Sequence, residues 1–245
     1  MAVRRFPSHF FAHVCALTSV GFALWRAITF TYSTTSLRLL TIGLALIFLG
    51  ALCSAVWPWK LVRIAAMATL SAAVGWLALP ARSTDVDVLT ATYIAELRAY
   101  DGVVYAWGGE VPQGIDCSGL VRGGLRDAWF KLGLRTFDGG KIRKGLALWM
   151  FDDSAKSLGQ GAGGQTRPLF AASHLRAADM GRLQAGDLAV TADGAHVLAF
   201  LGEGRFIQAD PLAGNVIIVD RNDKNPWLDN AVNFVRWTAL DAQVQ

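Results

Sequence analysis

The chain has 245 residues, with 23 Lys and Arg against 19 Asp and Glu and a sequence pI near 9.1. The basic excess is local: residues 1–82 hold Arg4, Arg5, Arg26, Arg38, Lys60, Arg63 and Arg82 and no acid, a charge of +7, whereas residues 83–245 sum to −3. These cations border apolar runs and so read as membrane-flanking charge, which excludes a nucleic-acid surface as the meaning of the high pI.

Residues 6–25, 39–59 and 64–81 are free of charge. Each run approaches the ~20 residues that a helix needs to cross the hydrocarbon core. Three such runs in succession without an acid predict three transmembrane helices. A cleavable leader over residues 1–25 is the rival reading of the first run, but no small-residue cleavage site is evident. With three spans, Arg4, Arg5, Lys60 and Arg63 lie on one side and Arg26, Arg38 and Arg82 on the other. Four against three puts the N-terminus in the cytoplasm and residues 83–245 outside. Cys15 and Cys53 fall inside the apolar runs, so with Cys117 they form no disulfide framework.

Beyond Pro80 the sequence changes character. Ser83-Thr-Asp-Val-Asp87 is a helix start, and Leu89, Tyr93, Ile94 and Leu97 follow at helical spacing to about Asp101-Gly102. Gly108-Gly109 and Pro112-Gln-Gly114 mark a loop, after which Cys117 opens a second helix running to Lys131, with Leu120, Val121, Leu125 and Trp129 on one face. Residues 133–180 are rich in Gly and Pro breaks and read as an insertion of undefined structure with a short helix at 144–156. Five strands then follow at 187–192, 196–201, 205–209, 216–219 and 232–237. Helices first and strands last give an α+β domain over residues 83–245 behind a membrane anchor over residues 1–82.

The chemistry centres on Cys117. A helix N-terminus places partial positive charge beside a thiol and is expected to lower its pKa. Alone, Cys117 reads rather as a small buried hydrophobe, the usual place of a lone Cys. A base must come from His174 or His196, the two histidines of the soluble part. His196 begins an apolar strand, and Gln208 lies in the next strand across the Gly202-Glu-Gly204 turn, where it would be a cross-strand neighbour able to orient the imidazole. His174 has no partner in view and is assigned a structural role. The His and Cys spacing lacks paired zinc ligands, and no metal or cofactor is expected.

Four blocks, Tyr105-Ala-Trp-Gly-Gly109, Asp116-Cys-Ser-Gly-Leu-Val121, Leu183-Gln-Ala-Gly-Asp187 and His196-Val-Leu-Ala-Phe-Leu-Gly-Glu-Gly-Arg-Phe-Ile207, resemble in order the motifs of the NlpC-type cell-wall cysteine peptidases, over about residues 88–237. The resemblance implies a papain-like fold and a bacterial cell-wall enzyme; the three apolar runs, which lie outside the resemblance, and their flanking charge place it at the cytoplasmic membrane with the catalytic domain on the periplasmic or extracellular side. It implies Cys117 as nucleophile, His196 as general base, Gln208 as the orienting group where the family more often has His, and Tyr105 near the oxyanion together with the Cys117 N–H. Asp116, Ser118 and Trp107 match positions near the substrate, although Asp116 reads equally as a helix cap and Trp107 more commonly as core.

The implied reaction is hydrolysis of an amide bond in peptidoglycan stem peptides through a Cys117 thioester, in the family most often between D-glutamate and diaminopimelate. Two alternatives stand beside it: an inactive module binding cell-wall peptide or a partner, and a transferase passing the same thioester to another acceptor. The 79-residue separation of Cys117 and His196 exceeds the family's usual one because of residues 133–180, which would shape the cleft or, like the membrane helices, contact a protein partner.

Overall fold

The computed structural model describes residues 8–242, so Arg4 and Arg5, and Phe6 and Pro7 of the first apolar run, lie outside the described residues. Three helices come first: α1 (Ser8–Thr29), α2 (Thr35–Val56) and α3 (Lys60–Ala78). All three are long and apolar enough to span a bilayer, and almost nothing in them is buried by the rest of the molecule. They fit a membrane anchor. Thr34 caps α2 by accepting from the Leu37 N–H, which fixes where the chain turns back after α1. The turn between α2 and α3 falls at Trp57-Pro58-Trp59, where Pro58 has no N–H to extend the α2 hydrogen-bond ladder.

The second part begins with α4 (Val86–Ala99), capped by Asp85, whose carboxylate accepts from the Asp87 N–H at 2.8 Å. Leu89, Tyr93 and Leu97 recur every four residues on its inner face and are fully buried. A short hairpin, β1 (Glu110–Val111) and β2 (Gly114–Ile115), leads into α5 (Cys117–Arg135), which packs against α4 and against α6 (Gly139–Met150). After α7 (Ala155–Gly159) the chain forms six strands: β3 (Thr166–Ala172), β4 (Leu188–Thr191), β5 (Val197–Gly202), β6 (Arg205–Asp210), β7 (Asn215–Asp220) and β8 (Val232–Trp237). They make one antiparallel sheet in the order β3-β8-β4-β5-β6-β7. Helices followed by an antiparallel sheet is the α+β architecture expected.

Both sheet faces are covered, so side chains alternate between two apolar clusters. Val197, Ala199, Leu201, Ile207, Val235 and Trp237 pack with α4 and α5. Leu198, Phe200, Phe206, Phe234 and Val232 pack with Leu175, Leu183 and Leu228 from the connecting segments. Asp187, in the turn before β4, accepts from Arg236 Nε at 2.6 Å and Nη2 at 2.8 Å and from the Gln184 N–H. That buried bidentate pair ties β8 to the turn and gives the Leu183-Gln-Ala-Gly-Asp187 block a structural reason.

Residues 133–180 are more ordered than their composition suggests. In place of one helix at 144–156 there are α6 and α7, separated by residues 151–154, and β3 is the edge strand of the main sheet. The anchor also docks at the start of this segment. Trp76 of α3 donates its indole N–H to the Phe137 carbonyl at 3.1 Å and stacks on the Phe137 ring, while Arg143 donates to the Leu77 carbonyl.

Candidate active site

Cys117 is the first residue of α5, and the loop before it is built to hold it there. Asp116 is the N-cap: Oδ1 accepts from the Gly119 N–H at 2.6 Å and the Ser118 hydroxyl at 3.0 Å, and Oδ2 accepts from the Gly108 N–H at 2.9 Å. Both carboxylate oxygens are thus engaged, and Asp116 ties the glycine loop to the helix start. Gly119 has no room for a side chain, since a Cβ there would meet the Gly109 carbonyl oxygen. A cleft of about 310 Å³ opens in front of the thiol. Tyr105, Trp107, Asp116, Cys117 and Ser118 line one part of it, and Asp152, Ser154, Gly194 and Ala195 another. Trp107 is 73% exposed, so it is not core: its indole lies open at the cleft.

His196 and Gln208 lie behind this surface, both fully buried, joined by a 2.7 Å bond between His196 Nε2 and Gln208 Oε1. Ala199 pairs with Ile207, which sets Gln208 opposite Leu198; His196 therefore reaches the amide diagonally. With an amide oxygen as partner, Nε2 carries the proton and Nδ1 keeps its lone pair. Three further groups fix the ring. Thr191 brackets the His196 backbone, its hydroxyl accepting from the His196 N–H at 2.9 Å and its own N–H donating to the His196 carbonyl at 3.0 Å. Trp227 stacks on the imidazole with 4.1 Å between centroids. Asp210 in turn holds Trp227 Nε1 at 3.2 Å and Asn225 Nδ2 at 2.8 Å. Sequence reasoning missed Thr191, Trp227 and Asp210, since no spacing rule links residue 227 to residue 196.

The residues flanking His196 reach the thiol region: Ala195 lines the Cys117 cleft, and the Val197 N–H favours the Cys117 thiolate, as do the N–H groups of Ser118 and Cys117 itself. These do not prevail. Burial, with the nearby Asp116 charge, pushes the Cys117 thiol up to about 12, contrary to the lowering expected of a helix N-terminus. Burial likewise brings the His196 imidazolium down to about 4, although the Gln208 bond and the Asp210 charge favour the cation. Among the described residues no hydrogen bond joins thiol and ring, and the resting pair is neutral on both sides. Tyr105 is pushed up to about 12 by burial and by the charge a Cys117 thiolate would carry. His174 stands apart, its Nδ1 accepting from the Ala177 N–H as the cap of a short helical turn. A larger cavity, about 650 Å³ beside Trp129 and Lys144, touches none of the candidate catalytic residues.

Residues 102–236, more than half of the chain, match the NlpC/P60 family. The chain belongs to the NlpC/P60 family. Solved structures similar to it include an NlpC/P60 family protein from Bacillus cereus ATCC 10987, 18% identical over 64% of this chain and 41% of that one, with a TM-score of 0.41. The P60 domain of an antigen from M. avium subspecies paratuberculosis is 20% identical over 60% and 94%, with a TM-score of 0.38. The peptidoglycan hydrolase RipB from Mycobacterium tuberculosis is 20% identical over 60% and 64%, with a TM-score of 0.37. The matched region thus spans under half of the Bacillus cereus chain. No curated protein matches this one. In this NlpC/P60 domain Tyr105, Trp107, Asp116, Cys117 and Ser118 are gathered at one cleft, with His196 and Gln208 buried beside it.

Proposed function

We propose that this chain is a membrane-anchored cysteine amidase that cleaves amide bonds in peptidoglycan stem peptides, the D-glutamyl-diaminopimelate bond being the one expected from its family. The observation that carries the reading is the buried His196 Nε2 bond to Gln208 Oε1, which leaves Nδ1 available as a base on a residue whose chain neighbours, Ala195 and Val197, face Cys117 at the start of α5. From a neutral pair, the Cys117 sulfur attacks the substrate carbonyl as its proton passes to His196 Nδ1. The tetrahedral oxyanion is met by the Cys117 N–H and the Tyr105 hydroxyl. Its collapse expels the amine, which takes the proton from His196 and leaves a Cys117 thioester. Water, deprotonated by His196, cleaves that thioester and restores the thiol. Burial favours this concerted transfer over a preformed thiolate–imidazolium pair. A Gln amide suffices at the third position because it orients the ring without adding charge.

In this reading Trp107 and Ser118 meet substrate at the cleft, and Asp116 acts through the loop that it ties. The enzyme begins at α4, and α1–α3 hold it at the bacterial cytoplasmic membrane with the cleft outside the cytoplasm. Arg38 is buried against Glu110 and is no free flanking charge, so the charge comparison becomes four against two, a stronger bias toward that orientation.

The test is digestion of purified peptidoglycan by the detergent-solubilised full chain, with mass spectrometry of the released fragments and Cys117→Ala as control. Fragments absent from the control identify the bond. If the wild type releases none while a thiol reagent still modifies Cys117, the peptide-binding module becomes the better account; the burial of Cys117, only 8% exposed, is what favours that second reading.

A further inference from the structure

The candidate cleft has a wall that does not come from the NlpC/P60 domain. Tyr32, Ser33 and Thr34, in the connection between α1 and α2, line the same cleft as Cys117 and Trp107. The attachment is made by backbone: the Ser33 N–H donates to the Gly108 carbonyl at 2.8 Å, and Tyr32 forms an antiparallel bridge with Gly109. The glycine loop leaves room for this. Gly108 sits at φ +71°, and a Cβ there would come within 3.0 Å of the Tyr32 ring. Tyr32 keeps 48% of its surface exposed, on a cleft where the Trp107 indole is also open.

The connection is held by charge as well. Arg38, in the first turn of α2 and 1% exposed, donates from Nη2 to Glu110 Oε2 at 2.8 Å and from Nε to the Ser33 hydroxyl at 3.0 Å. Glu110 also pairs with Arg122 of α5, and Arg122 donates to Asp152 at 3.1 Å. This buried cluster joins the anchor, the β1 strand and the helix that carries Cys117, and removing one partner of such a cluster leaves a charge stranded out of water.

We infer that the α1–α2 connection is a working wall of the substrate cleft, with Tyr32 a specificity residue that packs its ring on the peptide presented to Cys117. The inference rests on the reading of the cleft as a peptidase site. Two open aromatic faces, Tyr32 and Trp107, offer an apolar grip for the aliphatic carbon skeleton of a peptide, and the anchor is then part of the binding site as well as its mooring.

The test uses the full chain in detergent micelles and soluble muropeptides released from peptidoglycan by a muramidase. Tyr32→Ala is expected to raise KM by about fivefold or more with kcat within about twofold, because lost packing is uniform binding, while Tyr32→Phe stays near wild type. Tyr32→Gln, which keeps side-chain length but not the apolar ring face, replaces Tyr32→Ala if that variant melts early. A KM within about twofold of wild type in the folded variant overturns the inference. If the wild type cleaves nothing, the peptidase reading falls by itself, and the wall is judged by N-ethylmaleimide modification of Cys117 followed on its own peptide. Modification about threefold faster in Tyr32→Ala supports the wall, and an unchanged rate overturns it.

Discussion

Burial decides how Cys117 and His196 ionise, and this has consequences for pH. With the thiol pushed up to about 12 and the imidazolium down to about 4, alkylation of Cys117 by iodoacetamide should climb steadily from pH 6 to pH 10. A plateau between pH 5 and pH 8 would show a preformed thiolate instead. Folding stability should respond too. The unfolded chain takes up a proton at His196 near 6.5 and the folded chain only near 4, so stability is full above 6.5 and falls as pH drops through that window, by roughly 3 kcal/mol. Denaturant melts of wild type and His196→Gln at pH 7 and pH 4 should differ by that amount. Gln208→Glu would place a carboxylate on His196 Nε2, favour the imidazolium and move the acid limb of the activity profile to higher pH. A limb that does not move argues that Gln208 does not orient the ring. The cysteine, histidine and amide were all legible in sequence because motif order and a hairpin spacing mark them. The direction of the thiol shift was not, because a helix start is a local feature whereas desolvation comes from the folded surroundings.

At the level of single elements, two short motifs hold α5 and the sheet. Asp116 supplies the α5 cap and a bond to the Gly108 N–H. Asp116→Ala should lower stability by about 1–2 kcal/mol in a thermal melt, and should lower activity through the displaced loop; full activity with an early melt would restrict it to capping. Asp187→Ala strands the Arg236 guanidinium in the interior and should cost about 3–5 kcal/mol, read as a large fall in the denaturant midpoint. Helix positions were readable because Leu89, Tyr93 and Leu97, or Leu120, Val121 and Leu125, repeat at helical spacing. β3 escaped notice for a physical reason. It carries Pro168, which an edge strand tolerates since one side needs no ladder bond, and its register shifts between Pro168 and Phe170, which breaks the alternation that signals a strand.

For the whole molecule, the connection between α1 and α2 and the end of α3 both contact the domain, which agrees with three membrane crossings, since these would put both on the domain's side. With the cleft proposed to lie outside the cytoplasm, reporters fused after Gln245 should be active only there, and cytoplasmic activity would reverse the proposed orientation. Apolar length alone foretold three helices able to span a bilayer. Their contact with the cleft could not be foretold, because Tyr32 and Gly108 are distant in sequence and no composition rule pairs a loop between membrane helices with a glycine turn.

A domain moored at both Gly108 and Phe137 has no slack line to pay out. A single flexible tether would let the cleft roam through a volume of cell wall; two fixed moorings hold it at one height, within a few radii of gyration, roughly 15 Å each for a domain of this size, of the bilayer surface. For the membrane-anchored hydrolase proposed above, the search would then be lateral, carried by diffusion in the membrane plane, and wall strands beyond that height would be out of range however long the protein waits.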